Sequence, residues 1–238
     1  MPILVFAKLP RAGHAKTRLA QELGPERAAG FAAAFLEDTL ERVRHWGRGP
    51  LWLCGDQPSA GAFRHFLGPD IHYHPQGGGD LGARLQRAFQ QAFANGASGA
   101  VALGADTPHL PLELLDQAVA GVQAGQVVLG PARDGGYFLL AVPETCVDLE
   151  AILSGCEWGT SKVLSQTRQT LMQCAVPYLE LELFWDIDRC EDLVQWSQEL
   201  RSRGAPHPAP KRSLRLLQGL EGYRGFLSSE VPPETKDG

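Results

Sequence analysis

Short, uniformly apolar runs alternate along this chain with longer stretches in which apolar residues recur at helical spacing. Ile3-Leu4-Val5-Phe6-Ala7 has no polar alternation, and Pro10 and Gly13 follow it. That is the pattern of a strand buried on both faces of a parallel sheet, and it predicts a central position. Between Pro25 and Trp46, Ala28, Phe31, Ala32, Phe35, Leu36, Leu40 and Val43 fall on helical spacing. They predict a long amphipathic helix with Pro25 in its first turn. The rhythm continues with a strand at Leu51 to Cys54, helices at Ser59 to Leu67 and Asp80 to Phe93, a strand at Ala100 to Leu103 and a helix at Leu112 to Val122. Two strands follow in close succession, Val127 to Leu129 and Tyr137 to Val142, which predicts a small antiparallel excursion. A helix at Ser161 to Cys174, a strand at Tyr178 to Leu183 and a helix at Glu191 to Arg203 complete the series. Such alternation predicts an α/β fold, a three-layer Rossmann-like arrangement around a mostly parallel sheet.

Composition changes after Gly204. Ala205-Pro206-His207-Pro208-Ala209-Pro210 predicts a polyproline-like linker, Ser213 to Phe226 one further helix, and the last dozen residues a frayed end. The division expected is therefore a nucleotide-binding domain over 1–203, with a Pro-rich linker and C-terminal tail over 204–238. The tail packs on the core, closes the site or forms a homodimer; the sequence leaves these open.

At 238 residues one substantial core is expected. A formal charge of -5 argues against a general binder of nucleic acid or anionic membrane, while a small phosphorylated ligand needs only a few local cations. Five scattered cysteines with no Cys-x-x-Cys pair read as free thiols in a reducing compartment. No apolar run is long enough for a membrane span, and the one at Ile3 to Ala7 is too short for a signal segment, so a cytoplasmic protein is expected.

In open α/β sheets the ligand crevice lies beyond the carboxyl ends of the strands, so the loops leaving those ends carry the candidate chemistry. The first loop sets Lys8, Arg11, Lys16 and Arg18 around Gly13, with Thr17 among them. Backbone amides, a helix N-terminus and several cations suit a polyphosphate. The glycine spacing is neither that of a Walker loop nor that of a dinucleotide fingerprint, and a solvated basic turn fits the composition equally well. Gly104-Ala105-Asp106-Thr107-Pro108 ends a strand in a carboxylate, which suits Mg²⁺ or Mn²⁺. Taken alone, a helix cap or Asx turn before Pro108 is the commoner use. In Arg133-Asp134-Gly135-Gly136-Tyr137, the paired glycines permit close approach of a ligand and Asp134 is placed to bind it, yet Asp-Gly is also the usual hairpin turn. Trp185-Asp186-Ile187-Asp188 puts two carboxylates on one face if extended. Alternatively, Asp188 caps the next helix and Glu191 completes a capping box.

Two weaker segments complete the set. Gln76 to Arg84 is glycine-rich at a helix start and includes Asp80, Leu81 and Gly82; Trp158-Gly159-Thr160-Ser161 either positions an acceptor or caps a helix. The histidines show no ligand spacing, although His72 and His74 alternate as a strand would present them.

Taken in order, Phe6-Ala7-Lys8 through Lys16-Thr17-Arg18-Leu19, Asp80-Leu81-Gly82, Gly104 to Pro108, Gly130-Pro131-Ala132 with Asp134 to Tyr137, Trp158 to Ser161 and Trp185 to Asp188 cover residues 1 to 200. This set resembles the GT-A-like nucleotide-diphospho-sugar transferase superfamily and, within it, the radical-SAM/selenodomain-associated transferases. The resemblance implies a metal-assisted glycosyl transfer from a nucleotide or nucleotide-sugar donor to an unknown acceptor, with Mg²⁺ or Mn²⁺ on Asp106 and Asp188. It further implies Lys16, Asp106 and Asp134 as catalytic; Lys8, Gly13, Lys16, Thr17, Arg18, Gly82 and Asp106 for the nucleotide; and Asp134, Gly135, Gly136, Tyr137, Trp158, Gly159 and Thr160 for the substrate. The chain shows Asp106-Thr107-Pro108 where many glycosyltransferases of this fold have Asp-x-Asp. In that respect, and in the segment Asp186 to Asp192, it also resembles nucleotidyltransferases of the phospholactate and molybdenum-cofactor type. A non-catalytic nucleotide-binding protein of the same fold is the third reading.

Overall fold

The computed structural model describes residues 1–67, 72–146 and 148–221. In chain order its elements are β1 (Ile3–Ala7), α1 (Thr17–Leu23), α2 (Pro25–Trp46), β2 (Leu51–Gly55), α3 (Gly61–Leu67), β3 (His72–Pro75), α4 (Leu81–Ala94) and β4 (Gly99–Gly104). There follow α5 (Leu112–Gln123), β5 (Val127–Pro131), β6 (Tyr137–Pro143), α6 (Leu149–Ser154), α7 (Val163–Gln173), β7 (Tyr178–Glu180), α8 (Cys190–Arg203) and α9 (Lys211–Glu221). The strands form one seven-stranded sheet in the order β3-β2-β1-β4-β6-β5-β7. Pairing is parallel everywhere except at β6, which runs antiparallel to both β4 and β5. The expected excursion is that single reversed strand, and the fold is the expected α/β three-layer one.

Period-two alternation within buried strands distributes the core over two faces. Ile3, Val5, Leu53, Val101 and Leu103 point to one side, where Leu36, Leu40 and Val43 of α2 and Leu114, Leu115, Ala118 and Val122 of α5 cover them. Leu4, Trp52, Cys54, Ala100 and Ala102 point to the other, beneath Leu85, Phe89 and Ala92 of α4 with α6 and α7. Helix α2 is also buried on its outer side, where Phe31 and Phe35 join Leu19 of α1, Trp196 of α8 and Leu217 and Leu220 of α9 in a third cluster.

Two helices and strand β3 are additions to the sequence reading, which noted at β3 only the alternation of His72 and His74. Helix α1 and helix α6 are only seven and six residues long, too short for a repeat of helical spacing to show. Strand β7 ends at Glu180 rather than Leu183, because the chain then leaves the sheet edge. Helix α9 begins at Lys211; the expected stretch from Gly222 to Phe226 and the frayed terminal residues lie outside the described residues. The segment after Gly204 runs along α2, where Arg42 donates to the carbonyl of Pro208 and His207 packs edge-on against His45. Buried Asp38 then accepts from the backbone N–H of Ser213 at 2.7 Å, its hydroxyl at 2.6 Å and the N–H of Arg212 at 3.2 Å. An α2 carboxylate thus satisfies the open amides that start α9, as a capping side chain does.

His109 lies in this helical region among Phe184, Trp185 and Trp196. Both ring nitrogens are buried without a partner. Burial, helped by Arg42 and Arg133, pushes its pKa down to about 3. The folded value is below the unfolded one, so the imidazole stays neutral in the fold and takes up a proton on unfolding. Stability is therefore full above pH ~6.5 and falls as pH drops toward 3, by up to about 1.4 kcal/mol per unit. Urea titrations at pH 7 and pH 5 should show His109→Phe losing up to about 2 kcal/mol less than the parent between those values. An equal loss in both proteins would assign the acid sensitivity elsewhere.

Candidate functional site

A cavity of about 880 Å³ opens at the carboxyl ends of β1 and β4, lined by Phe6, Lys8, Lys16, Arg18, Asp106, Asp134, Tyr137, Trp158, Asp186 and Asp188 among others. Its position follows from topology. The parallel neighbours β1 and β4 send their following loops out of the same end of the sheet, and β4 also borders reversed β6.

The first loop is pinned from below. Asp56, directly after β2, accepts from the N–H of Leu9 at 2.9 Å and contacts Nε2 of His14 at 2.6 Å. Burial alone would raise the Asp56 carboxyl, yet these partners outweigh it and hold it below the usual range. Gln76 donates to the carbonyls of Cys54 and Ala7, and Arg84 donates to the Gln76 side-chain oxygen at 3.2 Å. Asp56 was not among the sequence candidates, although its place at the end of a buried strand was a usable signal.

At the other side of the cavity the segment after β7 crosses from the sheet edge toward β4. Phe184 donates its N–H to Pro131, and Ile187 donates its N–H to the carbonyl of Asp106 at 3.1 Å. That last bond draws the mid-chain and late carboxylates together across some eighty residues of sequence. Asp186 and Asp188 both line the cavity, as extended spacing predicted. The capping expectation is corrected: Asp192, not Asp188 with Glu191, accepts from the N–H groups of Asp188 and Arg189. Asp188 is thereby free for other work. Likewise Asp106 caps no helix, since the N-cap of α5 is Pro111 and that helix has no side-chain cap.

Lys16 fills the space between these carboxylates. Its side chain is only 3% exposed, and Nζ lies 2.9 Å from Asp106 Oδ2, 2.7 Å from Asp188 Oδ1 and 2.6 Å from the carbonyl of Ile187. An ammonium has three donors, so all three are matched. Burial would lower the lysine pKa, but the two carboxylates more than reverse it and the net shift is upward. Asp188 is correspondingly held below its ordinary range against the effect of burial, chiefly by Lys16. At Asp186 the attraction of Lys16 is outweighed, and burial and the charge of Asp188 push its pKa up to about 6. Lys16, expected to face phosphates, commits its ammonium to protein oxygens in this arrangement. Its backbone is left-handed, φ 51°, at the N-cap of α1, a conformation that costs a non-glycine residue roughly 1–2 kcal/mol. Arg18 reaches Asp188 at 3.2 Å from a side chain that is half exposed.

The remaining candidates divide by role. Thr17, Gly136, Gly159 and Thr160 line the cavity with Lys8 and Asp134, whereas Gly13, Gly82 and Gly135 do not. Gly13 sits at φ 74° in the turn that bonds His14 back to Arg11. Gly82 lets α4 approach Trp158, since a Cβ would stand 2.3 Å from the indole nitrogen. Gly135, at φ 86°, lies where a Cβ would stand 2.2 Å from the carbonyl oxygen of Ser161, and its own carbonyl accepts from the N–H of Leu164. Asp134 spends one oxygen on the N–H of Gly136 at 2.9 Å, so it closes the hairpin turn while facing the cavity. Thr160 accepts from the N–H of Lys162 and donates to Glu157; it closes a turn ahead of α7 rather than capping that helix.

Three oxygens, from Asp106, Asp188 and Ile187, converge on one cationic nitrogen, a donor set that also suits a hard divalent ion completing its shell with water. Among the described residues no three His, Cys, Asp or Glu side chains gather into a ligand group. No described helix is long and apolar enough to cross a membrane, and all five cysteines are free.

The sequence profile of the bacterial family DUF2064, described as an uncharacterised protein conserved in bacteria, matches residues 39–160, just over half of the chain. The chain belongs to the DUF2064 family. The matched stretch carries Asp56, Asp106, Asp134 and Trp158, while Lys16 and Asp188 lie on either side of it. No curated protein matches the chain. Among solved structures, this DUF2064 protein is similar to a proposed nucleotide-diphospho-sugar transferase from Desulfovibrio desulfuricans G20. The TM-score is 0.79 at 28% identity, over 92% of this chain and 94% of that one. It shares its fold with a cytidylyltransferase from Leptospira borgpetersenii, with TM-score 0.59 and 13% identity over 97% of each chain. A nucleotidyl transferase from Methanothermobacter thermautotroptrophicus has TM-score 0.56 and 18% identity over 85% of this chain and 99% of that one.

Proposed function

We propose that this protein is a transferase taking a nucleotide-activated donor, a nucleotide-diphospho-sugar, with Mg²⁺ or Mn²⁺ as its metal. The observation that carries this reading is the meeting, in one cavity, of first-loop cations with the carboxylates of Asp106 and Asp188. The similarity to the Desulfovibrio protein supports the donor class. Asp106, Asp188 and the Ile187 carbonyl would hold the metal, which when bound would neutralise charge building on the departing diphosphate. Lys8 and Arg18, at the rim, attract the phosphates and orient them along the first loop. Asp134, fixed by the Gly136 amide, is positioned for a donor or acceptor hydroxyl, and Trp158 gives the sugar or acceptor a flat apolar wall.

A second reading, nucleotidyl transfer, is favoured by one feature. A single mid-chain aspartate, rather than an Asp-x-Asp pair, meets a late aspartate beside a basic loop. There Lys8 and Arg18 would bind the pyrophosphate that leaves the α-phosphorus.

Thermal shifts with nucleoside triphosphates, diphosphates and nucleotide-sugars, each with and without Mn²⁺, separate these readings. A ligand at a hundred times its dissociation constant adds about 2.7 kcal/mol. Metal-dependent stabilisation by a nucleotide-sugar above the triphosphates is the expected result, the reverse order supports nucleotidyl transfer, and no shift with any nucleotide sinks both.

A further inference from the structure

Lys16 is a lysine in the place of a metal. Its ammonium is the shared partner of two carboxylates and a carbonyl, at 2.6 to 2.9 Å, and it is almost wholly buried. A divalent ion on the same three oxygens would stand within van der Waals contact of that ammonium and meet its like charge at the shortest possible separation, an arrangement that Coulomb repulsion strongly disfavours. The two cations therefore exclude one another. We infer that Lys16 is a resident counter-ion which must swing out of the Asp106–Asp188 pair before a divalent metal enters, and that the released ammonium turns to the phosphates of the donor.

Three features favour exchange over a permanent clamp. The pair opens on the cavity: the side chains of Asp106 and Asp188 are 43% and 32% exposed, so water and a hydrated ion reach them although Lys16 is covered. The backbone of Lys16 holds a left-handed conformation at the N-cap of α1, the kind of strained geometry that clusters at ligand clamps and switch regions. Lastly, the neighbours of Lys16 on its own loop, Lys8, Thr17 and Arg18, already line the cavity, so a short rotation carries the ammonium to where a diphosphate would lie. In the resting protein the arrangement keeps the carboxylates of Asp106 and Asp188 from repelling one another. It also lowers metal affinity until phosphate is present to receive the lysine, so donor and metal bind cooperatively. The phosphate half of this inference rests on the nucleotide reading above; the exclusion half does not.

The test uses the full chain and Mn²⁺ alone, without nucleotide. Calorimetric titration should show Lys16→Met binding Mn²⁺ at least tenfold more tightly than the parent, because the competing charge is gone while both carboxylates remain. Equal or weaker binding overturns the inference. Should the Met variant fail to fold, the unaltered protein decides. Lys16 should be protected from amine acetylation in buffer and become several-fold more reactive, by peptide mass spectrometry, as Mn²⁺ saturates. Reactivity that stays low with Mn²⁺ bound, or absence of Mn²⁺ binding to either protein, overturns the exchange even if nucleotides still stabilise the fold. Loss of nucleotide stabilisation with intact Mn²⁺ exchange would instead remove the functional reading and leave the exchange standing.

Discussion

Replacing Asp106 with alanine is expected to abolish the metal-dependent part of nucleotide binding while leaving the protein folded. The side chain is partly exposed, and Lys16 keeps Asp188 and the Ile187 carbonyl as partners, so no buried charge is stranded. The melting temperature should move by only a few degrees. Binding is a different matter, since one of two carboxylates in the proposed metal site is lost. We expect the affinity for a nucleotide with Mn²⁺ to fall at least ~100-fold, about 2.7 kcal/mol, and the affinity without metal to change little. Titration calorimetry of both proteins, with and without Mn²⁺, measures the difference directly. If the metal-dependent component survives in Asp106→Ala, the cation sits elsewhere and the catalytic reading of the β4 loop falls with it.

Gly135→Ala should produce the largest loss of stability of any single methyl addition near the cavity. Two independent costs coincide there. A side chain at φ 86° is strained by roughly 1–2 kcal/mol, and its Cβ would stand 2.2 Å from the backbone oxygen of Ser161, an atom that no rotamer change removes. Together they should cost about 3 kcal/mol or more, a fall of about 6 to 12 °C in Tm for a chain of this size. Gly159 provides the control. It has nearly the same φ, 82°, but nothing lies within 4 Å of its Cβ direction, so Gly159→Ala should cost only about 1 kcal/mol. Thermal melts of the two variants decide the matter; equal losses would mean that the 158–161 loop gives way and is not braced by the hairpin.

The contrast between these two glycines shows where sequence reading stops. Both stand in segments marked as candidate binding loops, and both have positive φ. Only the fold reveals that one abuts the backbone of Ser161, far along the chain from it, while the other faces open space. Gly82 carries the same lesson: the resemblance assigns it to the nucleotide, yet what it accommodates is the indole of Trp158.

Periodicity determined most of the order of strands and helices from β1 to α8 and the presence of an antiparallel excursion, because buried strands and amphipathic helices write their environment into every second or every third to fourth residue; the resulting open α/β sheet then points to the end at which chemistry collects. Helices α1 and α6 escaped that periodicity, and of the short strand β3 only the alternation of His72 and His74 showed. The residue types of the site were equally legible, since a basic loop and strand-end aspartates are conspicuous in an acidic protein. What the tertiary structure decided was pairing. The Ile187–Asp106 backbone bond brings the late and mid-chain carboxylates together, Asp192 relieves Asp188 of capping, and Lys16 enters the gap as their common partner. Asp56 beneath the first loop and Asp38 beneath α9 act in the same way on distant backbone. Charge and hydrogen-bond partners are chosen by distance in space, and no local pattern in the chain encodes a distance between residues 16, 106 and 188.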